Sequence, residues 1–140
     1  MKAIALLSTT ALLLLLGCTH EAPTPEPLIL PHVGIQGVVS YGQGDCLPVI
    51  DLSKRSYSPY NGEVYFYRKA ALDQLGRGDL AQLQAVSPHY PVRDGQLAAV
   101  PPPDTYVLML DSFYSTEYVV TITAGQLVTQ DVKFWKCMSY

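Results

Sequence analysis

Almost every periodic segment of this chain alternates at period two, and that period restricts those segments to strands. Val33, Ile35, Gly37, Val39 and Tyr41 share one face of a first segment, which Gly42-Gln43-Gly44-Asp45 is expected to break. Val64, Phe66 and Arg68 alternate with Tyr65, Tyr67 and Lys69 in a second, introduced by the turn dipeptide Asn61-Gly62. Residues 96–100 form a third, stopped by Pro101-Pro102-Pro103. Residues 105–111 form a fourth, with Tyr106, Leu108 and Leu110 on one face and Val107 and Met109 on the other. Residues 117–123, rich in β-branched side chains, form a fifth. Ala124-Gly125-Gln126 then turns the chain into a last strand over 127–136. Short strands spaced by turn signals predict an all-β sandwich or barrel.

Two stretches break the pattern. Residues 70–75 and 80–84 are strong helix formers separated by Gly76-Arg77-Gly78. Leu72 and Leu75 stand three apart, as do Leu80 and Leu83, which predicts a short helical insertion. Such an insertion is either a binding loop or an excursion without a role of its own.

The N-terminus is of another kind. Lys2 precedes an apolar run over 3–16 that is too short for a comfortable bilayer span of about 20 residues. The run closes in Leu15-Leu16-Gly17-Cys18, which resembles the bacterial lipobox. The resemblance implies that residues 1–17 are a lipoprotein signal peptide, that Cys18 carries the lipid and that the lipid is the membrane contact. Thr19 follows, and no aspartate stands there as an inner-membrane retention signal. That implies a chain in the cell envelope, on the outer membrane and facing the periplasm. Residues 18–32 read as a lipidated tether. Four prolines between Glu21 and Pro31 exclude a helix and favour a semi-rigid polyproline spacer of roughly 3 Å per residue. The domain is then residues 33–140.

With Cys18 acylated, Cys46 and Cys137 remain. An even remainder in an oxidising compartment reads as a disulfide closing a loop of roughly 90 residues, the alternative being two buried thiols.

The order of several motifs resembles the carboxypeptidase regulatory-like domain. Gly34-Ile35-Gln36-Gly37-Val38-Val39 matches its opening strand, Asp94-Gly95-Gln96-Leu97 its central element, and Pro102-Pro103-Asp104-Thr105-Tyr106 its proline turn and strand. Ile122-Thr123-Ala124-Gly125-Gln126-Leu127 matches its ending. Asp104 departs from the pattern, which has glycine there. The chain is also similar to small bacterial lipoproteins carrying Gly44-Asp45-Cys46-Leu47-Pro48 ahead of a Tyr60 to Phe66 stretch. The resemblance implies a single seven-stranded Greek-key sandwich of transthyretin-like fold, and no particular activity.

Function is less legible. The 12 acidic side chains exceed the 9 basic ones, Lys2 among the latter, and no basic run occurs; nucleic acid is not an expected partner. His20, His32 and His89 show no spacing to an acid and a nucleophile, so no catalytic residue is named and a non-enzymatic protein is expected. The C-terminus Lys136-Cys137-Met138-Ser139-Tyr140 lacks the Tyr-Arg-Gly-Ser ending of the hydroxyisourate hydrolases that share the fold. Asp45, Asp51 and Asp111 have no calcium-loop spacing, and no metal or cofactor is expected. Ten tyrosines remain to be used. Tyr57, Tyr60, Tyr65 and Tyr67 cluster in sequence and form a candidate binding surface for a protein or glycan of the envelope. They also suit ordinary packing between strands. The expectation is a binding or structural module, or an accessory or inhibitor of an envelope enzyme that uses residues 70–84 as its contact.

Overall fold

The alternating segments fold as two packed sheets. The computed structural model describes residues 31–46, 52–75, 80–111 and 118–138. In chain order the described residues form β1 (Gly34–Gly44), a 3₁₀ turn (Leu52–Lys54), β2 (Ser58–Pro59), β3 (Gly62–Arg68), α1 (Lys69–Leu75) and α2 (Leu80–Val86). There follow β4 (His89–Val92), β5 (Gln96–Ala99), β6 (Asp104–Leu110), β7 (Val119–Ile122), β8 (Leu127–Thr129) and β9 (Val132–Cys137).

Nine strands form among the described residues, where the sequence pattern marks six and the resemblance implies seven. Two arise where no alternation is visible. β2 and β4 are short and carry Pro59 and Pro91, which edge strands tolerate because their outer N–H is not needed in a ladder. A third arises because residues 127–136 are interrupted. At the break the Asp131 carboxylate accepts a hydrogen bond from Val38 N at 2.8 Å, and Gln130 N donates to Gln36 O at 2.9 Å.

β1 organises the five-stranded sheet. β5 and β2 pair with it antiparallel along one side, and β8 and β9 pair with it parallel along the other. The second sheet has the order β4-β3-β6-β7, antiparallel throughout. The two sheets are joined by a tight turn between β4 and β5, where Asp94 (φ 50°) and Gly95 (φ 76°) adopt the left-handed conformation. The Asn61 side chain accepts a hydrogen bond from Asp94 N at 2.7 Å and steadies that turn.

The main core lies between the sheets. Ile35, Val39, Leu97, Val132 and Phe134 meet Val64, Phe66, Val92, Tyr106, Leu108, Leu110, Val120 and Ile122. Phe66 packs edge-on against Tyr90 and Tyr106. Tyr106 is wholly buried, and its hydroxyl donates to Pro102 O at 2.9 Å. It thereby locks the proline turn to the strand that follows, as tyrosine corners do in Greek-key sandwiches. Asp104, the departure from the family pattern, accepts from Thr105 N and pairs with Arg68 at 3.3 Å.

A second core explains why residues 106–110 are apolar without interruption. A strand covered on both faces loses its alternation. Val107 and Met109 of β6 and Tyr67 of β3 point away from the main core and are buried beneath Leu72 of α1, with Leu75, Leu80 and Leu83 beside it. Lys69 and Asp73 pair across one turn of α1 at 2.6 Å. Ser87 Oγ donates to Leu83 O at 2.7 Å and finishes α2.

β1 also corrects the expected break at Gly42-Gln43-Gly44-Asp45, since the strand continues to Gly44 against β9. These glycines make room for a ring and do not turn the chain.

Candidate functional site

β9 alternates like any strand, so with Val132 and Phe134 in the core, Lys133 and Trp135 face outward. Trp135 lies in register with Gly42, and its indole rests on the β1 backbone. A Cβ placed at Gly42 or at Gly44 would stand 2.7 Å from that ring, far inside contact distance. The chain leaving the 3₁₀ turn passes over the same spot. The Arg55 guanidinium sits 4.8 Å from the Trp135 ring centre. Tyr57 meets Trp135 edge-on, centroids 5.5 Å apart, and the Lys133 ammonium lies 5.8 Å from the Tyr57 ring centre. Two cations thus bracket two aromatic rings on the outer face of the five-stranded sheet. The Cys46–Cys137 disulfide closes the same end of the molecule, where Met138 N also bonds to Gly44 O at 2.8 Å.

The electrostatics of this cluster differ from those beside the helices. Arg68 and Lys69 are each matched by a carboxylate, Asp104 and Asp73. Among the described residues no carboxylate is within ion-pair distance of Arg55 or Lys133; ring faces hold them instead. A ring quadrupole attracts a cation by about 0.5–1 kcal/mol at an exposed site without cancelling its charge. Trp135 Nε1 and Arg55 Nε are buried and have no hydrogen-bond partner among the described residues. Each such unmet donor costs about 1–3 kcal/mol. Lys54 adjoins Arg55 in sequence, whereas Lys136, next to Trp135 in β9, falls on the opposite face of that strand. The fold brings together Arg55 and Lys133, cations from two separate segments, at one end of a net acidic chain.

The four candidate tyrosines do not form one surface. Only Tyr57 belongs to the cluster. Tyr60 packs on the edge of the main core beside Tyr41, and its hydroxyl donates to Glu63 O at 3.4 Å. Burial, reinforced by Asp111, raises its pKa. Tyr65 stacks on Tyr67 on the opposite sheet, near His89. Tyr67 is 2% exposed beneath the helices and cannot present its ring to a partner; burial, then Tyr65 and Asp111, push its hydroxyl up to about 12.

The remaining candidates are dispersed. His89 faces Tyr65 and the Ser87 carbonyl, and His32 is exposed just before β1. Asp111 accepts from Gln84 Nε2 at 2.7 Å. Cys18, His20 and Asp51 lie outside the described residues. Among the described residues no three His, Cys, Asp or Glu side chains stand close enough to hold a metal ion, and no helix is long and apolar enough to cross a membrane. A half-open groove of about 360 Å³ lies beside the helices, lined by Arg68, Ala71, Leu83, Val86, Ser87 and Pro88. The Arg68 cation in that wall is already held by Asp104.

Sequence reasoning missed Trp135, Arg55 and Lys133 as a group. The available signal was Gly42 and Gly44, spaced by two on one face of a strand, where small residues admit a close neighbour. No family model, curated protein or solved structure matches this chain.

Proposed function

We propose that this protein is a lipid-anchored, non-enzymatic binding module of the bacterial cell envelope, tethered through Cys18 to the outer membrane and facing the periplasm. The observation that carries the binding role is the cluster of Arg55, Tyr57, Lys133 and Trp135, whose cations are held by rings and left without acids among the described residues. Leu15-Leu16-Gly17-Cys18 supports the anchor, and the proline-rich 18–32 segment supports a domain standing off the membrane.

The carboxypeptidase regulatory-like, transthyretin-like Greek key is part of the same reading. β8 and β9 keep one register along β1 and count as a single interrupted strand, and β2 is a two-residue bridge. The strands that remain are three in one sheet and four in the other. The chain changes sheet at β1 to β3, β4 to β5, β5 to β6 and β7 to β8, which supports Greek-key connections over a simple meander.

Metabolic labelling with palmitate tests the anchor. The wild type is expected to take up label and sediment with outer membranes, and Cys18→Ala to do neither. An unlabelled, soluble wild type removes the anchor from this account.

A further inference from the structure

We propose that the Arg55–Trp135–Tyr57–Lys133 cluster binds an acidic glycan, a sugar polymer bearing carboxylates along its length. This deepens the binding role proposed above and takes its setting from it.

Charge decides the ligand's sign. The cluster offers a guanidinium and an ammonium, both donors only, and Lys54, next to Arg55 in sequence, adds to the same sign. Arrangement decides its repeat. Arg55 stands over Trp135 and Lys133 over Tyr57, two cations on two different rings, so a ligand carrying more than one acid can pair with both. Size weighs against a folded protein partner. Four side chains match a few sugar units by themselves, whereas a stable protein interface of roughly 800 Å² per partner would have to draw on the surrounding surface as well.

Position decides against the anchoring bilayer. The tether joins the domain at Gly34, and the cluster sits over Gly42 and Gly44 at the other end of the same strand. At about 3.3 Å per residue these points are roughly 30 Å apart. A domain standing on its tether holds the cluster away from the membrane that carries it.

Trp135 is the chain's single tryptophan, so its fluorescence reports on this site alone. The test titrates the full lipidated chain, in neutral detergent micelles, with oligogalacturonate, with uncharged maltoheptaose, with polyglutamate and with vesicles of anionic phospholipid. Oligogalacturonate is expected to give a saturable change in Trp135 emission that weakens as salt rises. The double variant Arg55→Gln/Lys133→Gln is expected to bind at least tenfold more weakly, and Lys69→Gln, on the opposite face, to bind like the wild type. Circular dichroism checks that the double variant is folded. If it is not, Lys54→Gln/Lys133→Gln, which keeps the Arg55–Trp135 contact, takes its place with the same expectation. An equal response to maltoheptaose, polyglutamate or vesicles overturns the proposal, as does an unweakened folded variant or no response at all. Because binding is measured on purified protein, its failure removes the glycan and leaves the anchor, whereas failure of palmitate labelling removes the anchor and leaves the binding.

Discussion

Over β3 and β6 the outer face of one sheet is covered by leucines from two helices; over β1 and β9 the outer face of the other is covered by a single indole lying on glycine backbone. The first cover is self-sufficient. Leu72, Leu75, Leu80 and Leu83 remove apolar strand surface from water, and the nearby cations Arg68 and Lys69 are matched by acids. The second leaves two cations on aromatic faces and two N–H groups without acceptors among the described residues. The helical insertion is therefore packed through its own leucines, and the face opposite it is the one whose cations rest on rings.

The largest test of that contrast is the disulfide, which belongs to the second face alone. Replacing both Cys46 and Cys137 by serine should cost up to about 4 kcal/mol, given the long loop it closes. Thermal melts should fall by at least several degrees. Trp135 emission should shift to the red as the ends of β1 and β9 fray, with the helices still protected from hydrogen exchange. Uniform loss of protection in both faces would abolish the distinction.

Leu72→Ala should act on the other face, at about 2–3 kcal/mol by denaturant melts, since a buried leucine is lost from a small satellite core. Trp135 emission in the native state should stay unchanged.

Alkaline pH should act there too. With Tyr67 raised to about 12 in the fold and near 10 when unfolded, the native state holds the proton more tightly. The stability this provides is complete below pH 10 and is lost as pH rises toward 12, by about 2–3 kcal/mol over the window. Urea melts across that range should show the loss, and Tyr67→Phe should flatten it.

The smallest effect is expected of Gly42→Ala. Its methyl group would meet the Trp135 ring at 2.7 Å and the Ser56 carbonyl at 2.5 Å, costing about 1–2 kcal/mol and displacing the indole. Combined with Leu72→Ala it should add without coupling, because the two sites share no partner.

The strands that alternate were legible because burial on one face imposes period two, as in the segments that became β1, β3 and β5, whereas β6 was legible as an apolar run between turn signals and β7 from its β-branched residues. The helical turns at residues 69–75 and 80–86 were legible from spacing and propensity. The pairing of Cys46 with Cys137 was legible from the count of cysteines. The site was not, for two physical reasons. Glycine carries the same letter whether it turns a chain or admits a ring, so Gly42 and Gly44 looked like an ending. Neighbours in sequence also part company in a strand, so Tyr57 went to one sheet and Tyr65 and Tyr67 to the far face of the other.

The parallel ladder between β1 and the last strands also sets an order of events during biogenesis. Val38 finds its partner Asp131 93 residues later, so one whole side of the first strand stays open until the last residues exist. Contacts of such long sequence separation form slowly and late. A chain threaded through a translocation channel N-terminus first would present β1 long before β9 emerges. Completion of the five-stranded sheet then waits for β8 and β9, because one side of β1 keeps its ladder unpaired until the last strands are made.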